Sequence, residues 1–349
     1  MPTSSASAVP LAPISNTPVN SPRVHEDTSL SNTAVASPQD LNQQSGLNML
    51  HLELLHNFIT STSLTLSGDQ ILRNIWRINV PRLAFSFDFI MHAILALSAL
   101  HMARSPGKRD FYESQAALLY QNGLRLATSL LPHVTPENCS ALYIFAALSC
   151  VITLASPRKL GDILLVSETG VAEWLLHIRG IRSVIASAEA EIRSGPLGPM
   201  FIAGQRRFLI REAHSNDQTV EADQLDKLLQ HIKENLNNDR DLEVYTAAIR
   251  ELRGSFNVTY AVGFQGYESA DVYIWLFRIP DDYLSLLSER RQEALTIYAF
   301  FCVVLKRFDT SWYMSGWCSH ILSRIFYLLD EHHRLWIQWP IEETGLILY

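Results

Sequence analysis

Residues 91–106 read MHAILALSALHMARSP. The apolar run that holds them, Phe89–Ala103, is interrupted only by His92, Ser98 and His101. Its length constrains the fold more than any other feature. A helix needs about 20 apolar residues to cross a bilayer, and this run ends short of that, ahead of Ser105-Pro106. No membrane span is expected. A stretch this apolar is instead a core helix covered on several sides, so the chain must supply other helices to cover it.

The rest of the sequence supplies them. Leu52, Leu55, Ile59 and Thr62 fall three and four apart, which is one helical face. A second helix begins at Ile71, Ile75 and Ile78 and is expected to stop before Val80-Pro81. The opening stretch forms a third, from about Phe87 to Arg104. Ser105-Pro106 and Thr135-Pro136-Glu137 read as helix starts, the second followed by an apolar helix over Cys139–Leu154. A long amphipathic helix is expected over about Val171–Arg193, closed by Gly195-Pro196. Residues 203–240 are polar and weakly patterned. The spacing of Leu242, Tyr245, Ile249, Leu252 and Phe256 is again helical, while the β-branched FNVTYAV, Phe256–Val262, leaves room for a short strand. Helices follow over about Glu289–Phe308 and Met314–Glu331, and neither βαβ alternation nor a repeat is visible. The expected fold is all-α, with one large helical domain over 47–349. Residues 1–46 hold six prolines, nine serines, one arginine and no lysine, a composition that cannot offset its ordering entropy, and they are expected to form a disordered tail or linker.

Charge and cysteine content exclude several functions. A net charge of −7 and a pI near 5.9 argue against a body that grips a polyanion, which needs clustered Lys and Arg. The four cysteines, Cys139, Cys150, Cys302 and Cys318, include no CxxC pair, so no thiolate zinc site is expected. Free thiols suit a reducing compartment. His51 and His56 are about 140° apart on a helix and His92 and His101 about 180°, so neither pair holds one metal ion. His92 and His101 read as core histidines with one hydrogen bond each, and Ser98 as bonding back within its own helix. His332-His333 read as closing the last long helix, where cations favour the C-terminal dipole. No phosphate loop, dinucleotide motif or nucleophile elbow occurs. No catalytic set, metal or cofactor is expected, and the chain is not read as an enzyme.

Aromatic residues remain. Five of the seven tryptophans, Trp275, Trp312, Trp317, Trp336 and Trp339, lie in the last quarter of the chain. Ordinary core packing accounts for such enrichment, and an apolar cavity between helices accounts for it equally. Gly316, between Tyr313 and Trp317, would permit close approach of a ring or a helix.

Several strings then resemble a known family. MHAILALSALHMARSPGKRDFYESQAALLYQNGL with VTPENCSALYIFAALS, then EWLLHIRGIRSVI, SGPLGPM and SWYMSGWCSHILSRIFYLLDEHHRLWIQWP, resemble in order the regulatory domain of fungus-specific zinc-cluster transcription factors of the sterol uptake control type. The resemblance covers roughly residues 48–345. It implies an all-helical effector domain in the nucleus that binds a sterol or another hydrophobic molecule. It also implies a homodimer, or a heterodimer with a DNA-binding homologue. Through the SWYMSGW element it singles out Trp312, Tyr313, Gly316 and Trp317 as candidate ligand-pocket residues. Regulators of secondary-metabolite clusters share this domain. A binuclear zinc cluster needs six cysteines and a basic loop, and residues 1–46 contain no cysteine; taken as complete, the chain is expected not to bind DNA itself. The alternative reading is an enzyme or tailoring protein acting on a hydrophobic substrate in the same pocket.

Overall fold

The computed structural model describes residues 48–347, apart from 159–160, 162, 168–169, 173, 176–178, 180–187 and 267. The expected tail over 1–46 lies outside the described residues, as does much of the helix expected over Val171–Arg193. Asn48–Tyr349 groups as one unit by its internal contacts.

The chain enters through α1 (Met49–Thr60), which starts where the Asn48 side chain accepts from the His51 N–H. A 3-10 turn (Thr62–Thr65) leads to α2 (Gln70–Asn74), a π turn (Ile75–Asn79) and α3 (Val80–Ala84). Pro81 does not stop the helical run as expected. The chain stays helical from Ile75 through Pro81, and the wider turn ahead of the proline, with its Val80 N–H to Ile75 carbonyl bond, is where the helix absorbs the missing N–H.

The apolar run forms α4 (Asp88–Met102), buried from Phe89 to Leu100 except at Met91 and His92. Helices α5 (Arg109–Leu130) and α6 (Cys139–Ala155) pack on it. Gly123 lets α5 come close: a Cβ there would lie 3.0 Å from the Phe89 carbonyl oxygen. Neither proline takes the first position of its helix, although the apolar helix after the second starts at Cys139 as expected. Ser105-Pro106 lies in a turn with Gly107 at φ +96°, and α5 starts at Arg109. After Thr135-Pro136-Glu137, the Asn138 side chain ties back to the Thr135 N–H and the His133 carbonyl, and α6 starts at Cys139. Ser98 also departs from expectation. Its hydroxyl donates to the Leu54 carbonyl at 2.7 Å and accepts from Asn57 at 2.9 Å, so it ties α4 to α1.

Among the described residues the strands are limited to β1 (Val166–Ser167) and β2 (Gly170–Val171), one antiparallel pair. The pair occupies the expected start of the Val171–Arg193 helix, of which α7 (Glu189–Ser194) is described. The weakly patterned region is helical: α8 (Gly198–Ala213) and α9 (Val220–Asn235). FNVTYAV is helical too, within α10 (Asp239–Gly266), which breaks at Gly263 (φ 68°). Buried Phe256, Val258 and Thr259 make tertiary packing, not strand propensity, decide its state. There follow α11 (Ser269–Arg278), α12 (Asp281–Ser288), α13 (Gln292–Lys306), α14 (Trp317–Leu328), α15 (Glu331–Trp336) and α16 (Gln338–Thr344).

Helix α13 is a second core axis, buried without interruption from Ala294 to Leu305. Trp275 of α11 stacks on its Phe301 with ring centroids 4.2 Å apart. Buried aromatic groups here find backbone acceptors on other elements: Trp275 Nε1 on the Ala248 carbonyl, Tyr298 Oη on Ile163 and Trp317 Nε1 on Leu154. Each bond satisfies a polar tip that apolar burial would otherwise leave costly. His332 and His333 open α15 rather than close the helix before it. Asp330 caps that start, accepting from the His333 N–H and lying 2.9 Å from its Nδ1.

Candidate functional site

Two places carry the candidate chemistry: the SWYMSGW corner and a cavity beside it. The corner brings Trp312, Tyr313, Gly316 and Trp317 together. Trp312 stacks on His101 at the end of α4 at 4.7 Å and donates its Nε1 to Thr65 Oγ1 at 2.8 Å. His101 Nδ1 lies 3.0 Å from Thr62 Oγ1, and burial, with Arg104 nearby, lowers its pKa. Gly316, at φ +79°, precedes α14 and donates its N–H to Asp309. The Arg158 guanidinium lies 5.6 Å from the Trp317 ring centre and donates to the Ser315 carbonyl. Tyr313 and Trp317 are buried. The corner therefore joins α4, α6 and α14 by packing and hydrogen bonds.

The cavity, about 590 Å³, does not have these four residues in its lining. Its walls are helix faces. Helix α6 offers Tyr143, Ala146, Ala147, Cys150 and Val151; α8 offers Met200, Ala203, Arg207 and Ile210; α11 offers Ala270, Tyr273, Ile274 and Phe277. Each set follows the three- and four-residue spacing of one helix face. Leu72 and Trp76 close a further side. The volume lies in the range of small-molecule sites.

Apart from the exposed Arg206, the charged groups of the lining are bonded to the protein. Glu268 accepts from Ser67 Oγ at 3.1 Å and from the Gly68 N–H at 3.1 Å, which clasps the loop after α1 to the start of α11. The Glu268 N–H donates to Asp271 Oδ2 at 2.8 Å, completing a capping box. Asp271 also accepts from Arg207 Nη1 at 3.0 Å, and Arg207 Nη2 donates to the Gly266 carbonyl. Burial raises the Asp271 carboxyl to about 6, against the lowering effect of the Glu268 N–H and Arg207. Asp69 caps α2 through the N–H groups of Ile71 and Leu72.

Deeper in, the groups are neutral. Burial pushes the Tyr143 phenol to about 12 and the Cys150 thiol higher, so Cys150 is not an activated nucleophile. The Tyr273 hydroxyl is buried, with its pKa raised first by burial and then by Tyr313 and Cys150; it has no hydrogen-bond partner among the described residues. Tyr313 lies between the two places. Burial raises its phenol, and the neighbouring hydroxyls of Ser269 in the cavity wall and of Ser311 partly offset this.

Comparison with known proteins adds the family. The pattern of the fungal specific transcription factor domain matches residues 53–241, more than half of the chain. The chain belongs to this family. A Zn(2)-C6 fungal-type transcription factor of Gibberella zeae is 25% identical over 315 residues, covering 85% of this chain and 62% of that protein. Sterol uptake control protein 2 of Saccharomyces cerevisiae is 26% identical over 172 residues, covering 48% of this chain and 18% of that protein. A Zn(2)-C6 fungal-type transcription factor of Aspergillus fumigatus is 24% identical over 249 residues, 70% of this chain and 65% of that protein. The chain thus spans less than two thirds of each of these relatives.

The sequence singled out the corner and missed the cavity. The signal was present: residues 200, 203, 207 and 210 form a stripe that runs into the weakly patterned region 203–240. No sequence sign says that the face opposite such a stripe is left unfilled.

Proposed function

We propose that the chain is a nuclear regulator of transcription whose helical domain, 47–349, binds a hydrophobic small molecule in the 590 Å³ cavity, with 1–46 as a tail or linker. The observation that carries this reading is the cavity itself, where three helix faces that would ordinarily bury one another line an apolar space instead. Membership of the family and the transcription-factor names of its relatives support the regulatory role. The sterol uptake control relatives make a sterol the first ligand to test, and an apolar ligand that controls a metabolite gene cluster is the second. The corner of Trp312, Tyr313, Gly316 and Trp317 would back the cavity wall through Tyr313 and Ser269, and so pass occupancy on to α4 and α14. Regulation would run through a homodimer or a heterodimer with a DNA-binding homologue. The neutral, raised Cys150 gives no support to a catalytic role.

Titration of the purified chain with dehydroergosterol, a fluorescent sterol, tests this. Saturable binding with a matching rise in melting temperature is the expected result. Fluorescence that never saturates, with no thermal shift from any apolar probe, would remove the ligand from the proposal.

A further inference from the structure

Among the groups that line the cavity is a fully buried hydroxyl whose bonding the protein leaves open. Tyr273 lines it from α11, and its hydroxyl is buried without a hydrogen-bond partner among the described residues. Other buried aromatic groups of this fold reach a backbone carbonyl, as Trp275, Tyr283, Tyr298 and Trp317 do. Tyr273 departs from this pattern, as does Tyr245, but Tyr273 alone of the two lines the cavity, and a buried donor left unpaired is costly. The neighbourhood of the hydroxyl is neutral, with the un-ionised Cys150 thiol and Tyr313 phenol beside it. Of the charged groups in the lining, Asp69, Arg207 and Glu268 are already bonded to their own chain, and Arg206 is exposed to solvent.

Building on the reading that the cavity holds a ligand, we propose that Tyr273 is its specificity group. It donates to a ligand's carbonyl or hydroxyl oxygen, which selects neutral apolar molecules bearing one acceptor at their buried end. A carboxylate at that end would be desolvated with no cation beside it, and such molecules are rejected. A hydrocarbon of the same shape fills the space and leaves Tyr273 unpaired. Selection of this kind follows from what a polar site loses when its partner is missing.

The test uses the full chain and three probes in a Nile red displacement assay: 5α-cholestan-3-one, 5α-cholestane and 5β-cholanic acid. The ketone is expected to bind about fivefold more tightly than the hydrocarbon, as one neutral hydrogen bond provides, and the acid more weakly than the ketone. Tyr273→Phe removes the hydroxyl and keeps the ring. It is expected to melt no lower than the wild type and to bring the ketone and hydrocarbon to equal affinity. A wild-type protein that binds both equally, or a ketone preference that survives Tyr273→Phe, overturns the assignment while leaving the cavity a ligand site. Failure of all three probes to displace Nile red from the folded wild type overturns the ligand reading itself.

Discussion

Gly316 sits at φ +79° just before α14, and a Cβ at that position would lie 2.7 Å from Arg158 Nη1. Two costs meet there and can be separated. The left-handed backbone costs an ordinary L residue about 1–2 kcal/mol, and asparagine is better tolerated there than alanine. The approach to Arg158 costs little by itself, because the guanidinium is the far end of a flexible side chain and can swing off the Trp317 ring. Gly316→Ala is therefore expected to lower stability by about 1–2 kcal/mol, and Gly316→Asn by less, in urea denaturation. Equal losses would assign the cost to Arg158 rather than to the backbone.

At the scale of the element, the start of α11 gathers a clasp, a capping box and a buried ion pair. Asp271 carries the pH dependence. Its carboxyl, raised from the usual 3.8 to about 6 by burial, holds its proton more tightly in the folded chain than in the unfolded one. Its favourable contribution is complete below about pH 4 and is lost as pH rises through about 6. Asp271→Asn keeps the acceptor for the Glu268 N–H and removes the titration. The stability of the wild type relative to this variant should fall by on the order of 2–3 kcal/mol between pH 4 and 7, followed by denaturation at each pH. A difference flat across that range would show that the Glu268 N–H, Arg207 and Arg211 around the carboxyl balance its burial. The start of α11 also shows what sequence reasoning reaches. Helices α4, α6 and α13 were legible because their apolar runs leave no other state. Pro81, Ser98 and the His332-His333 pair were misread because the deciding partner lies elsewhere: a π turn, a carbonyl on α1 and the Asp330 cap. The four corner residues came from a resemblance, and they do gather in space. The cavity beside them depends on which helix faces fail to meet, and no single stretch encodes that.

The whole molecule is acidic, with a net charge of −7, and binding to DNA rests on neutralising phosphates with clustered cations. Gel-shift titration of this chain alone is expected to show no nanomolar, sequence-specific shift at about 0.15 M salt. Such a shift would place a DNA-reading surface on a body whose charge argues against it. Ligand control makes the opposite demand, a space kept open at a cost to stability. Filling that space from inside separates a used cavity from idle looseness. Ala203 faces it from α8 beside Met200 and Arg207, and Ala203→Phe would put a ring where a ligand would lie. Burying that ring should raise stability by about 1–2 kcal/mol, since the added apolar surface displaces no packed neighbour. If the cavity is the binding site, the same substitution should weaken apolar-probe binding more than tenfold, and the protein becomes more stable as it loses its ligand. A stabilised variant that still binds Nile red with wild-type affinity would move the binding site elsewhere on the chain. A destabilised one would show that α6, α8 and α11 close over that volume in solution.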